Sequence, residues 1–297
     1  MRFTPEHVSQ WREEGFTVIE NFFSAEECAP VLADYEALYG HIPQALAAKS
    51  NEGTPVNESQ FQHIDSLPFR GSSAINLMPL HPQLIAFAKA LLGVDEVHLY
   101  QAHTWAKFTG ATDYDQKFHC DFGNHTLTVP SEDVSQRTVD FIFYFTDVTR
   151  AHGALRYVTK PDVIATLGHL GLERPNDEEN QRLLQKERAV EVPAGSLVAH
   201  GIDTMHRGSN LTAPNGRRFS MTVGYKAAGN DNIGFHVWQV QPNSTWPLVF
   251  KHASPEQLAC LGIPRPGAPF WTQWTLEQTQ ARWPDWDMRE YFAQRSR

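Results

Sequence analysis

Apolar and polar positions change period several times along this 297-residue chain, and each change marks an element. Thr4 before Pro5 predicts a helix start, and Gly15 predicts its end. Phe16-Thr17-Val18-Ile19 predicts a short strand. Ser24-Ala25-Glu26-Glu27 has the form of a capping box and opens a second helix through about Tyr39. From His41 to Met78 the period weakens, and Gly53, Pro55 and scattered polar residues predict long loops. His63 and Arg70 read there as solvated loop residues, with a substrate contact as the alternative. His81-Pro82 then opens an amphipathic helix ending at Gly93, with Leu84, Ile85, Ala88, Leu91 and Leu92 on its buried face.

Past that helix the pattern turns to alternation. Val97 to Phe108 predicts a long strand with Val97, Leu99, Gln101, His103, Trp105 and Lys107 on one face. Thr138 to Phe145 is a second strand, and its Asp140 reads as a strand-end residue in water, with a pocket position as the alternative. Pro161 to Lys186 looks helical and charged, a surface insertion before a strand over Arg188 to Val192. Short strands follow up to Gly201 and over Arg217 to Tyr225. The tail carries Phe235, Trp238, Trp246, Phe250, Phe270, Trp271, Trp274, Trp283, Trp286 and Tyr291, and Trp283 to Phe292 predicts a closing helix. Plain packing against the core is the usual use of such aromatics. Strands without helix-period runs between them predict a mainly β chain with flanking helices around an antiparallel double-stranded β-helix (jelly-roll, cupin-like) core. One domain over 1–297 accounts for the length: a helical N-terminal buttress (1–95), the core (96–226) with a helical insertion near 161–187, and the aromatic-rich tail (227–297).

Composition narrows the partners. A net charge of -9 weighs against nucleic acid and anionic membrane surfaces, which favour a basic face. Cys28, Cys120 and Cys260 are odd in number and far apart, so they predict free thiols in a reducing compartment. No basic-then-apolar leader and no membrane-length apolar run stand out, and a cytoplasmic location is the expectation.

The chemistry concentrates in Lys117-Phe118-His119-Cys120-Asp121-Phe122. On an extended strand residues two apart share a face, so His119 and Asp121 can aim at one ion while Cys120 points away. A third donor from His206 would complete two imidazoles and one carboxylate on one face of an octahedral metal, the arrangement of non-haem Fe(II) oxygenases. His200 is the rival third ligand.

The same segments, with Pro193-Ala194-Gly195-Ser196-Leu197-Val198-Ala199-His200-Gly201, Met205-His206-Arg207-Gly208-Ser209-Asn210, and Asp147-Val148 followed by Gly153-Ala154-Leu155, resemble the phytanoyl-CoA dioxygenase-like branch of the Fe(II)/2-oxoglutarate-dependent oxygenases. The resemblance departs where Thr159-Lys160-Pro161-Asp162 replaces a loop motif. It implies Fe(II) held by His119, Asp121 and His206, with 2-oxoglutarate as co-substrate. It also implies an arginine about eleven residues after the distal histidine that grips the far carboxylate of 2-oxoglutarate. Arg217 sits at that offset from His206, which favours His206 over His200, while Arg218 is expected on the opposite face, toward solvent. Gln101, Trp105 and Ser209 are the further cofactor-pocket candidates. Halogenases of the superfamily lack the carboxylate, so Asp121 implies hydroxylation or a related oxidation. A small-molecule metabolite and O2 are then the partners, with succinate and CO2 released and a homodimer left open. The alternatives are a cupin-like metalloenzyme that does not use 2-oxoglutarate, or a non-catalytic metal-binding barrel.

Overall fold

A computed structural model of the chain describes residues 1–40, 61–109, 115–125, 130–170, 174–234 and 245–294. The N-terminal helices begin where local hydrogen bonding sets them. Helix α1 (Pro5–Glu14) is capped reciprocally by Thr4 and His7, and α2 (Ala25–Tyr39) by Ser24 and Glu27. Strand β1 (Phe16–Ile19) lies between them. After β2 (Phe61–Ser66) and α3 (Ser73–Leu77), α4 (Pro82–Leu92) buries Leu84, Ile85, Phe87, Ala88, Leu91 and Leu92, the expected face plus one ring.

The remaining strands are β3 (Val97–Phe108), β4 (Thr138–Tyr144), β5 (Arg156–Tyr157), β6 (Arg188–Ala189), β7 (Leu197–Gly201), β8 (His206–Arg207) and β9 (Arg217–Ala227). They form two sheets, ordered β1-β7-β4-β9-β3-β2 and β6-β5-β8, and every pairing is antiparallel. This is the jelly-roll core. The sheets face one another through a cluster that joins Phe16, Tyr144 and Val198 of the larger to Tyr157 of the smaller. The outer face of the large sheet, with Phe141, Phe143, Phe219, Met221, Val223 and Tyr225, packs on α2 and α4 in the main core. That core also takes in tail residues Trp246, Trp271, Trp286 and Tyr291. Each large apolar side chain so buried contributes ~1.5–3 kcal/mol.

Several elements differ from expectation. A bulge between Leu99 and Gln101 shifts the phase of β3, so Leu99 joins the helix-side core while Gln101 faces inward. The strand expected over Arg188 to Val192 pairs for two residues, and Val192 makes a separate bridge to Val148. No closing helix spans Trp283 to Phe292: a helix over Gln273–Arg282 ends at Trp283, and a short one over Arg289–Ala293 follows. Phe235 and Trp238 lie outside the described residues. Among the described residues no helix is long and apolar enough to cross a membrane.

Candidate metal centre

His119 does not lie on a continuous strand. It makes one isolated bridge to His206, with mutual backbone bonds of 3.0 Å, and Asp121 then begins a turn into α5 (Phe122–His125). Alternation survives locally all the same. Phe118 and Cys120 go into an apolar cluster with Val158, Val163, Leu183 and Met205, while His119 and Asp121 face away from it. The charged insertion supplies that cluster's floor. Its helices α6 (Lys160–Leu167) and α7 (Asp177–Leu184) bring Val163 and Leu183, and Asn180 accepts a hydrogen bond from the Phe118 amide at 3.0 Å.

His206 is placed from the other side by the turn after β7. Thr204 Oγ1 donates to the Gly15 carbonyl at 2.7 Å, and the Gly201 amide donates to the same oxygen at 2.9 Å, so the end of α1 anchors the turn. Asp203 in that turn pairs with Arg137 at 2.9 Å and Lys160 at 2.8 Å.

His119, Asp121 and His206 each offer a ligand atom, all within 4.8 Å of one another. Asp121 oxygens lie 3.7 Å from His119 Nε2 and 3.5 Å from His206 Nε2. A backbone carbonyl can only accept, so the contacts from His119 Nδ1 to Lys117 O (2.9 Å) and from His206 Nδ1 to Thr204 O (3.0 Å) put the proton on Nδ1 in both rings. Both Nε2 lone pairs are thereby left for a metal. Burial pushes the His206 imidazole down to about 4 against the pull of Asp121, with His200 and His119 adding to the effect. Burial acts to raise the Asp121 carboxyl, but the three imidazoles around it hold it well below the carboxylate range. The donor set is two imidazoles with Nε2 open and one carboxylate, which fits a divalent iron.

His200 is beside this set and outside it. It is buried on β7, its Nδ1 contacts Tyr157 Oη at 3.1 Å, and its Nε2 is 3.9 Å from Asp121 Oδ2.

The arginine assignment requires correction. Arg217 is 45 % exposed at its side chain, pairs with Glu36 of α2 at 2.5 Å and lies over the outer ring of Phe219. Arg218, expected toward solvent, is 3 % exposed on the inner face and donates to the Gly153 carbonyl. The reason is phase. Phe219, Met221, Val223 and Tyr225 fix the odd positions of β9 on the helix side, so the even positions line the interior. That alternation was visible in the sequence, whereas an offset counted across the loop 208–216 was blind to it.

Directly across from Arg218 on β3 is Lys107, fully buried, whose ammonium donates to the Ser209 carbonyl. Burial first, and Arg218 next, push Lys107 down to about 7. Burial also lowers Arg218, against the electrostatic pull of Tyr144 and Tyr157. The Tyr144 hydroxyl is buried with no hydrogen-bond partner among the described residues. Two cationic groups and an orphaned hydroxyl on one inner wall fit a dicarboxylate's far end. Gly153 makes the approach feasible: it has φ 71°, and a Cβ there would lie 2.7 Å from the Ser209 carbonyl and 3.1 Å from Lys107 Nζ.

The other pocket candidates are distributed differently. Ser209 Oγ donates to the Ala154 carbonyl at 2.6 Å, so this residue touches the cationic wall through its backbone. Trp105 is on the inner face of β3, its ring 6.3 Å from that of His103. Gln101 Nε2 donates to Asp140 at 2.9 Å. Asp140 is buried on the inner face of β4 and does not reach water. Arg70 is solvated, with a 3.6 Å contact to Asp65; the His63 side chain lies outside the described residues.

Residues 11–219 match the family model described as Phytanoyl-CoA dioxygenase (PhyH). The chain is 28 % identical over 234 residues to an ectoine dioxygenase of Bordetella parapertussis, covering 70 % of this chain and 71 % of the relative. Its fold is similar to that of the non-heme alpha ketoglutarate dependent carbocyclase SnoK from nogalamycin biosynthesis (TM-score 0.55, 21 % identity, 76 % of this chain and 85 % of that one). It is similar also to EctD from S. alaskensis in its apoform (TM-score 0.54, 20 % identity, 77 % and 79 % covered). With the family model spanning most of the core and the donor set assembled inside it, the chain belongs to the phytanoyl-CoA dioxygenase family and is a non-haem iron oxygenase that uses 2-oxoglutarate.

Proposed function

We propose that this oxygenase hydroxylates a small-molecule metabolite, with His119, Asp121 and His206 as the iron ligands and Arg218 and Lys107 as the seat of the distal carboxylate of 2-oxoglutarate. The observation that carries the reading is the convergence of the three donors, with Arg218 and Lys107 paired across strands and buried in the same core. When bound, Fe(II) with 2-oxoglutarate and O2 supplies the oxidising power, and succinate and CO2 are the co-products. The protein's part is placement and dryness. Lys117 and Thr204 carbonyls fix the two rings, the apolar cluster behind Phe118 holds the segment, and the guanidinium of Arg218 offers a planar fork suited to a carboxylate. Asp121 occupies the position that a halide would need, which supports hydroxylation.

The buried cluster that runs from Trp11 and Val31 through Phe141 and Met221 to Trp246 and Tyr291 supports a single oxygenase domain over 1–297. Free thiols at Cys28, Cys120 and Cys260 support a cytoplasmic setting. The test is succinate release by the full chain. It should require both Fe(II) and 2-oxoglutarate and vanish in Asp121→Ala. Undiminished release in that variant would remove Asp121 from the site.

A further inference from the structure

On the inner wall next to the metal centre, Asp140 of β4 and His200 of β7 are direct cross-strand partners. Asp140 is 1 % exposed and accepts hydrogen bonds from Tyr100 Oη (2.8 Å), Gln101 Nε2 (2.9 Å) and Thr138 Oγ1 (3.2 Å). All three donors are neutral. Its one ionic neighbour among the described residues is His125 Nδ1 at 4.0 Å, and no lysine or arginine pairs with it there. A buried carboxyl that accepts from three neutral donors and has no lysine or arginine paired with it among the described residues leaves a place for an arriving cation.

His200 gives a second and independent sign. Its Nε2 is buried and has no hydrogen-bond partner among the described residues, and it faces the space beside Asp121, 3.9 Å from Oδ2. A buried polar atom without a partner next to a reaction centre marks where a ligand atom belongs. The wall is also built for the purpose. Gly224 lies opposite Asp140 on β9, and a Cβ there would come within 2.6 Å of the Tyr100 ring and 2.7 Å of Asp140 Oδ1. The bulge in β3 turns both Tyr100 and Gln101 toward the same carboxylate.

We infer that Asp140 and His200 form the polar end of the primary-substrate subsite, and that the substrate carries a cationic nitrogen group (ammonium, amidinium or guanidinium) held against Asp140. The inference rests on the oxygenase reading above. It places the cation on the Asp140 side of the metal centre, with His200 hydrogen-bonding a polar atom of the substrate nearer the metal.

The test uses the full chain loaded with Ni(II), which keeps turnover silent, and 2-oxoglutarate. Thermal shift and calorimetry are run with a panel of amino, amidino and guanidino acids, their hydroxyl and amide analogues, and simple dicarboxylates. Cationic members should raise Tm where their neutral analogues do not. Asp140→Asn should weaken that binding about 30-fold or more, and His200→Gln should weaken it less, while the Tm rise given by 2-oxoglutarate persists in both. Because Asn can still accept from Tyr100 and Gln101 and removes a buried charge, Asp140→Asn should not lower the Tm of the unliganded protein. The inference is overturned if no cationic member binds, if neutral or anionic analogues bind as well, if Asp140→Asn keeps the affinity, or if it loses several degrees of Tm. Failure of the underlying oxygenase reading looks different: 2-oxoglutarate itself would then give no Tm rise in the wild-type chain.

Discussion

Two adjacent arginines divide the labour at the end of one strand. Arg217 makes a half-exposed ion pair with Glu36, worth at most ~1 kcal/mol, so Arg217→Ala should change the KM for 2-oxoglutarate little. Arg218 is buried opposite Lys107, and losing a buried partner of a carboxylate costs ~2–5 kcal/mol. Arg218→Ala should therefore raise that KM by about 30-fold or more, as succinate assays over a 2-oxoglutarate range would show. Lys107 adds a pH dependence. In the free enzyme burial holds it at about 7, and a bound carboxylate favours its protonated form, raising its pKa. Affinity for 2-oxoglutarate should thus be flat below about 7 and weaken as pH rises above it. Lys107→Met should abolish the slope, as calorimetry across that range would show. The shared face of His119 and Asp121 was legible in the sequence because it needed only local alternation. The arginine was not, because an offset counted through the loop 208–216 cannot tell two neighbouring residues of opposite phase apart.

At the scale of elements, the site depends on pairings that no single segment reveals. The segment carrying His119 owes its course to a single bridge with His206 and to the cluster under Phe118, not to a strand of its own. Leu183 of α7 is fully buried in that cluster although α7 is mostly polar. Leu183→Ala should cost ~2–5 kcal/mol locally and loosen iron binding through Phe118, measurable as a raised Kd for Fe(II). A surface ornament would leave that Kd unchanged. The insertion was readable as helical from its sequence, but its role under the metal segment was not. Asp140 likewise read as a strand-end residue, because its inward direction is set by β4 lying between β7 and β9, a relation that exists only after the sheet closes. The bulge at Leu99–Gln101 left no signature in the alternation that could have warned of the change in phase.

At the scale of the whole molecule, helices cover the outer face of the large sheet, and the candidate site lies between the two sheets. The sheet-rich class and the flanking helices followed from the hydrophobic pattern, since an amphipathic stretch up to Gly93 gives way to period-two stretches such as Val97 to Phe108 and Arg217 to Tyr225. The tail was less legible: its aromatic residues announce burial, as Trp271 and Tyr291 show, but give no period from which to place a helix end. The central claim is that His119, Asp121 and His206 hold iron while Arg218, and not Arg217, receives the far carboxylate of 2-oxoglutarate. It is tested most directly by anaerobic titration of 2-oxoglutarate into Fe(II)-loaded protein, followed by the visible charge-transfer band of the complex. The band should form at similar concentrations in wild type and Arg217→Ala, require far more 2-oxoglutarate in Arg218→Ala, and be absent in His206→Ala. A band lost in Arg217→Ala and retained in Arg218→Ala, or one that survives His206→Ala, would contradict it.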